Sequence, residues 1–279
     1  MSKREKDEVS GTETTGHEWD GIRELDTPMP RWWLGILYAS IVWAIGYWIV
    51  YPAWPGLTSY THGMLDHSQR DEVTANVTAL KAARAAHDQA LAKASLAEIQ
   101  KNPDLLQFAM AEGKTTFGDN CVPCHGAGGQ GAHGYPNLND DVWLWGGKLT
   151  DIQHTITVGV RSTDPGTRQS QMPAFGRDAV LKPTQIDDLA EYVVQLSGRA
   201  ADAKAVRRAA PLFADNCAAC HGPDGKGNRS MGAPNLTDNE WEYGATRDDI
   251  HDQIWNGHGG VMPTWGARLS PEEIKALAI

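Results

Sequence analysis

The chain has 279 residues, 41% of them hydrophobic and 22% charged, with a net charge of -10 and four cysteines. That negative balance argues against a nucleic-acid binder, which needs a basic face to neutralise phosphates. A mean hydropathy of -0.44 excludes a polytopic membrane protein, and the cysteines are too few for a disulfide-dense secreted scaffold.

In chain order, the polar segment 1–31 comes first. Residues 32–54 then carry no Asp, Glu, Lys or Arg, enough helix to cross a hydrocarbon core of roughly 30 Å. Trp32 and Trp33 at one end and Tyr51 and Trp54 at the other sit where aromatic belts fall, and Pro30 and Pro52 bracket the helix. The run is too long and too far from the N-terminus for a cleavable signal peptide, so it predicts an anchor. Lys3, Arg4, Lys6, Arg23 and Arg31 precede it, whereas Arg70 is the nearest positive charge after it. The positive-inside rule therefore predicts a cytoplasmic N-terminus and an exported C-terminal body. Within the linker 55–102, the alanine-rich stretch 66–101 predicts one or two helices, with a flexible linker as the alternative.

The remainder is a tandem repeat. Residues 117–125 read FGDNCVPCH and residues 213–221 read FADNCAACH. Pro136-Asn137-Leu138 recurs as Pro234-Asn235-Leu236, Trp143 as Trp241, Gly159 as Gly257, and Met172-Pro173 as Met262-Pro263. The first copy carries several extra residues before its methionine, in the loop RSTDPGTRQSQ. The expected modules are 103–199 and 200–279, each mostly helical. Helices are predicted over 105–117, 152–160 and 184–196, with Thr184 as an N-cap, and over 207–213, 250–255 and from 270 onwards. Glycine-rich stretches after each cysteine pair predict loops. The last helix stops early relative to its counterpart, which suggests that some native C-terminal residues are missing.

Cys121-x-x-Cys124-His125 and Cys217-x-x-Cys220-His221 are c-type haem attachment motifs. Two thiols one helical turn apart can each form a thioether to one porphyrin edge, and the adjacent histidine then faces the iron. A zinc site would pair the two CxxC motifs much closer in sequence, and a thioredoxin-like redox pair would need a βαβ context. Neither accounts for a histidine directly after both pairs. Two covalent haem c groups are the expectation, with all four cysteines consumed. Met172 and Met262, at matched positions and each followed by proline, are the expected second axial ligands, a soft thioether raising the reduction potential. Met231 lies too near His221 to reach the opposite haem face, and His133 and His258 lack counterparts in the other copy. Six-coordinate iron leaves no open position, which favours electron transfer over catalysis. In bacteria haem c is attached outside the cytoplasmic membrane, so the modules are expected in the periplasm, in agreement with the charge rule.

The segment 17–33, HEWDGIRELDTPMPRWW, closely resembles the start of the diheme subunit (subunit III) of cbb3-type cytochrome c oxidases. The resemblance covers nearly the whole chain. It implies an all-α protein with one N-terminal transmembrane helix and two tandem class I cytochrome c domains. It further implies electron relay from donor cytochromes c, through a monohaem subunit, to a catalytic haem-copper subunit that reduces O2 to water and pumps protons. No O2-reducing site is expected on this chain. By the same resemblance, Cys121, Cys124, His125 and Met172 would hold one haem, and Cys217, Cys220, His221 and Met262 the other. A free-standing anchored diheme carrier and the cytochrome subunit of a periplasmic dehydrogenase are the alternatives. Asp238, Glu240, Glu242, Asp248, Asp249 and Asp252 form either a solvated face or a docking surface for a basic donor, where complementary charge speeds encounter. Trp19-Asp20-Gly21 reads as a turn, and Trp43, Tyr47 and Trp48 as aromatics that face lipid or a partner helix.

Overall fold

The computed structural model describes residues 4–279; Lys3, one of the charges preceding the apolar run, lies outside them. The chain divides into two compact units, Met1–Ala83 and Arg84–Ile279.

The first unit opens with an antiparallel hairpin of β1 (Thr14–Trp19) and β2 (Ile22–Leu25). Asp20 and Gly21, with φ of 50° and 84°, form its two-residue connection, and left-handed backbone at both positions suits the twist of a tight hairpin. Arg23 ties the strands by ion pairs to Glu18 and Glu5. This small sheet is an addition to the all-α expectation. Helix α1 (Arg31–Val50) follows, long and apolar enough to cross a membrane, with none of its residues buried. It stops short of the apolar run because Pro52 has no N–H to continue it. Beyond the stop the chain turns back, and Trp54 meets Trp48 edge-on at 4.8 Å while Tyr51 stacks on Tyr47 at 4.7 Å. The predicted linker helices are α2 (Gln69–Lys93) and α3 (Leu96–Lys101), the latter opened by a Ser95–Glu98 capping box.

The second unit contains both repeats. The first contributes α4 (Pro103–Asn120), the short α5 (Val122–His125), α6 (Leu149–Val158) and α7 (Pro183–Leu196). The second contributes α8 (Ala203–Asn216), α9 (Ala218–His221), α10 (Arg247–Asn256) and α11 (Pro271–Ala278). Helix α7 begins one residue before the expected cap: Lys182 is its N-cap, since Pro183 is preorganised for the first helical position. Val160 falls outside α6, because Gly159 (φ 72°) ends that helix.

The repeats do not pack as two successive modules. Helix α7 lies on α8 and α10, and α11 lies on α4 and α6. One core joins Phe175, Ile186, Leu189, Ala190, Val193 and Val194 to Ala209, Phe213, Ile250 and Ile254. The other joins Leu91, Ile99, Leu105 and Ala109 to Ala276 near the C-terminus. Each core thus combines the front half of one repeat with the back half of the other. The strands cross between α6 and α7 and between α10 and α11, where Val160 and Met262 exchange both backbone hydrogen bonds at 3.0 Å. Glycine is required at both crossings. A Cβ on Gly159 would meet the Met262 carbonyl and one on Gly257 the Met172 carbonyl, and both residues have positive φ. The boundary near residue 200 is therefore a boundary of repetition in the chain, whereas the packed units cut across it.

Candidate functional site

Each cysteine pair lies on a single tight turn. Helix α4 ends at Asn120, and the Cys124 and His125 N–H groups donate to the Cys121 carbonyl at 3.1 and 2.9 Å. Cys220 and His221 donate to the Cys217 carbonyl at the same distances. This puts both sulfurs of a pair on one edge of the turn and the imidazole beside them. Gly126 (φ 78°) and Gly222 (φ 80°) then turn the chain, so that the following loop folds back over the histidine. The loops match bond for bond: Gly131 donates to the His125 carbonyl and Leu138 to Gly129, as Gly227 does to His221 and Leu236 to Gly225.

Those loops orient the imidazoles. His125 Nδ1 is 3.1 Å from the Pro136 carbonyl, and His221 Nδ1 is 3.0 Å from the Pro234 carbonyl. A carbonyl can only accept, so Nδ1 carries the proton and Nε2 keeps its lone pair for a metal. The repeated Pro-Asn-Leu was visible in the sequence as a matched position, but its role as the imidazole's partner was not. None of the four cysteines is in a disulfide, so each pair can serve one haem. Burial pushes the Cys217 thiol up to about 11 and raises that of Cys121 as well. Burial also lowers the pKa of His221, keeping the ring neutral as a ligand must be. The residues fit a c-type haem at each turn.

The methionines fall differently from the pairing that the resemblance implied. Met172 packs against the core that also receives Cys217, Ala218, Leu236 and Trp241 from the second repeat. Its N–H donates to the His258 carbonyl at 3.2 Å, and Phe175 and Gly176 next to it donate to Ile254 and Trp255 of α10. Met262 lies against the first repeat: beyond its paired bonds to Val160, Trp265 donates to Ile156 and Gly266 to Thr157 of α6. Met172 thus shares a core with Cys217, and the Met262 segment is bonded to Val160 and α6 of the first repeat. The physical reason is the crossing at Val160 and Met262, which exchanges the methionine segment and the terminal helix together.

Of the six acidic residues proposed as one face, Glu240, Asp248 and Asp252 are exposed. Asp249 is engaged as the N3 member of the Thr246 capping box, and Asp248 pairs with Arg247, which also reaches Asp187 and Glu191. Glu242 is drawn inward beside Arg161, and burial raises its pKa against that charge. It is not part of an open acidic surface.

Paired cysteine–histidine turns repeated on a helical scaffold define a tandem c-type cytochrome. Three family profiles match: the N-terminal domain of cytochrome oxidase-cbb3, FixP, over residues 11–58; cytochrome c over 110–197; and cytochrome c oxidase, cbb3-type, subunit III, over 204–279. The chain is 55% identical to the cbb3-type cytochrome c oxidase subunit FixP of Bradyrhizobium sp. (strain ORS 278), covering 99% of this chain and 95% of that protein. It is 50% identical to subunit CcoP of Cereibacter sphaeroides, covering 95% and 92%, and 48% identical to CcoP of Azospirillum brasilense, covering 100% and 97%. The chain belongs to the FixP/CcoP family of cbb3-type cytochrome c oxidase subunits.

Proposed function

We propose that this chain is the membrane-anchored diheme electron relay of a cbb3-type oxidase, with crossed axial ligation. Cys121, Cys124, His125 and Met262 would hold the first haem. Cys217, Cys220, His221 and Met172 would hold the second. When bound, each haem supplies a one-electron iron couple. The protein's part is to attach, orient and enclose. The cysteines anchor the porphyrin edge, the Pro136 and Pro234 carbonyls hold the imidazoles, and the methionine loops close the far side. The chain would pass electrons on and leave reduction of O2 to the catalytic subunit, with the monohaem subunit between. Helix α1 is the anchor, the N-terminus is cytoplasmic and the haem modules are periplasmic, as the charge distribution around the apolar run supports. A donor cytochrome c delivers electrons to this chain.

The observation that carries the crossed reading is the packing of Met172 in one core with Cys217. The test removes the second haem by C217A/C220A/H221A in the full chain and follows the far-red absorption band of methionine-ligated ferric haem. Crossed ligation requires that the remaining band survive M172A and vanish with M262A. The opposite pattern would refute it. Detergent purification with haem-type and copper analysis tests membership of the complex: isolation of a stable chain free of haem b and copper would favour a free-standing carrier.

A further inference from the structure

Three side-chain polar atoms are buried without a hydrogen-bond partner: Arg84 Nε, His258 Nε2 and Arg199 Nη2. Arg84 already pairs with Glu112 through its guanidinium, and His258 Nε2 faces Asp252 Oδ2 at 3.8 Å. Arg199 has no carboxylate within 4.0 Å among the described residues. Its Nε donates to Ser197 Oγ at 2.7 Å and its Nη1 to the Ala245 carbonyl, which fixes the guanidinium and leaves Nη2 over. The group lies 5.2 Å from the ring of Trp241, and Trp241 packs on the same core as Cys217, Ala218 and Met172. A buried cationic donor left unsatisfied is costly and calls for a missing acceptor. The haem placed in that core brings two carboxylates.

We infer that Arg199 is a propionate-binding residue of the second haem, its Nη2 donating to a haem carboxylate beside Trp241. The inference rests on the haem reading above and adds to it a residue in the segment joining the two repeats. Nothing in the sequence singled out Arg199. Arg168 makes a useful contrast. It stands 5.4 Å from the Trp145 ring, yet its Nε and Nη2 are already bonded to Thr155 and the Asp151 carbonyl.

A guanidinium offsets the carboxylate's negative charge near the iron. Without it that charge favours ferric iron, and the potential falls. The experiment is a redox titration of the full-length, detergent-solubilised chain, with covalent haem counted first by haemochrome absorbance. R199Q is expected to lower one of the two midpoint potentials and leave the other in place, and R168Q is expected to leave that same midpoint unmoved. Unchanged midpoints in R199Q carrying both haems would overturn the inference, as would an equal shift from R168Q. Should R199Q fail to assemble, R199K provides a second measurement. It cannot hold Ser197 and Ala245 as the planar fork does, so the propionate bending band of one haem should move in its resonance Raman spectrum; an unmoved band overturns the inference. Fewer than two covalent haems in the unsubstituted chain would instead refute the haem reading beneath it.

Discussion

Two glycines in α4 provide a test of the exchanged packing whose answer is a sign. Gly118 has open space around the position of a Cβ, whereas a Cβ on Gly113 would run into the Ala276 carbonyl of α11. In an unhindered helix, alanine is favoured over glycine by about 1 kcal/mol, so G118A should stabilise by roughly that amount. G113A gains the same propensity but must push back a backbone atom, which no rotamer change relieves. Overpacking costs about 1–3 kcal/mol, and rigid backbone contact belongs at the upper end. The net expectation is a loss of roughly 2 kcal/mol, which in a unit of this size lowers Tm by about 4–8 °C. The matched position in the second repeat is Ala209, fully buried, so that helix pair tolerates the methyl that α4 and α11 do not. The assay is thermal unfolding of the haem-loaded chain, followed through the methionine–iron band. The loss should be confined to the haem at Cys121 and Cys124, because α11 closes that side. Stabilisation by G113A equal to that by G118A would refute the close crossing of α4 and α11. Destabilisation confined to the second haem would refute the exchange.

Lys275 Nζ donates to the carbonyls of Leu91, Ala92 and Ala94 at 3.1, 2.6 and 2.8 Å. K275M should therefore cost about 1–2 kcal/mol and speed hydrogen exchange at the end of α2; unaltered exchange there would show that the lysine is not that helix's cap. Glu242 titrates higher in the folded chain than in the unfolded one because it is partly buried. Its contribution is fully present below the ordinary carboxylate pKa and is lost as pH rises through the raised folded value. E242Q should accordingly gain stability relative to the unsubstituted chain as pH rises above about 4.5, levelling off only above the raised folded value. Thermal unfolding of both proteins across this range checks it, and a pH-independent difference would contradict the buried placement.

The cofactor chemistry is local in sequence. Thiols one turn apart and a histidine next to them take up their geometry within five residues, so spacing alone announces it. Repetition identifies Met172 and Met262, because both copies preserve them before a proline. The apolar run predicts α1, since a helix facing lipid needs no partner to explain its composition. The hairpin at Asp20-Gly21 was legible only as a turn, because its flanking strands are short and mostly polar.

What remained for tertiary structure was the pairing. Exchanged and unexchanged arrangements bury the same faces of the same helices, so their hydrophobic periodicity is identical. The choice lies in a few backbone bonds at Val160 and Met262 and in the glycines that let the strands approach there. Burial of Glu242 and the unmatched Nη2 of Arg199 likewise depend on segments far apart in the chain. The amino-acid sequence by itself determined the two attachment turns, the repeat and the candidate ligands. Only the folded chain decided which half-repeats pack together, because local spacing records a residue's neighbours along the chain and carries no trace of a crossing between distant segments.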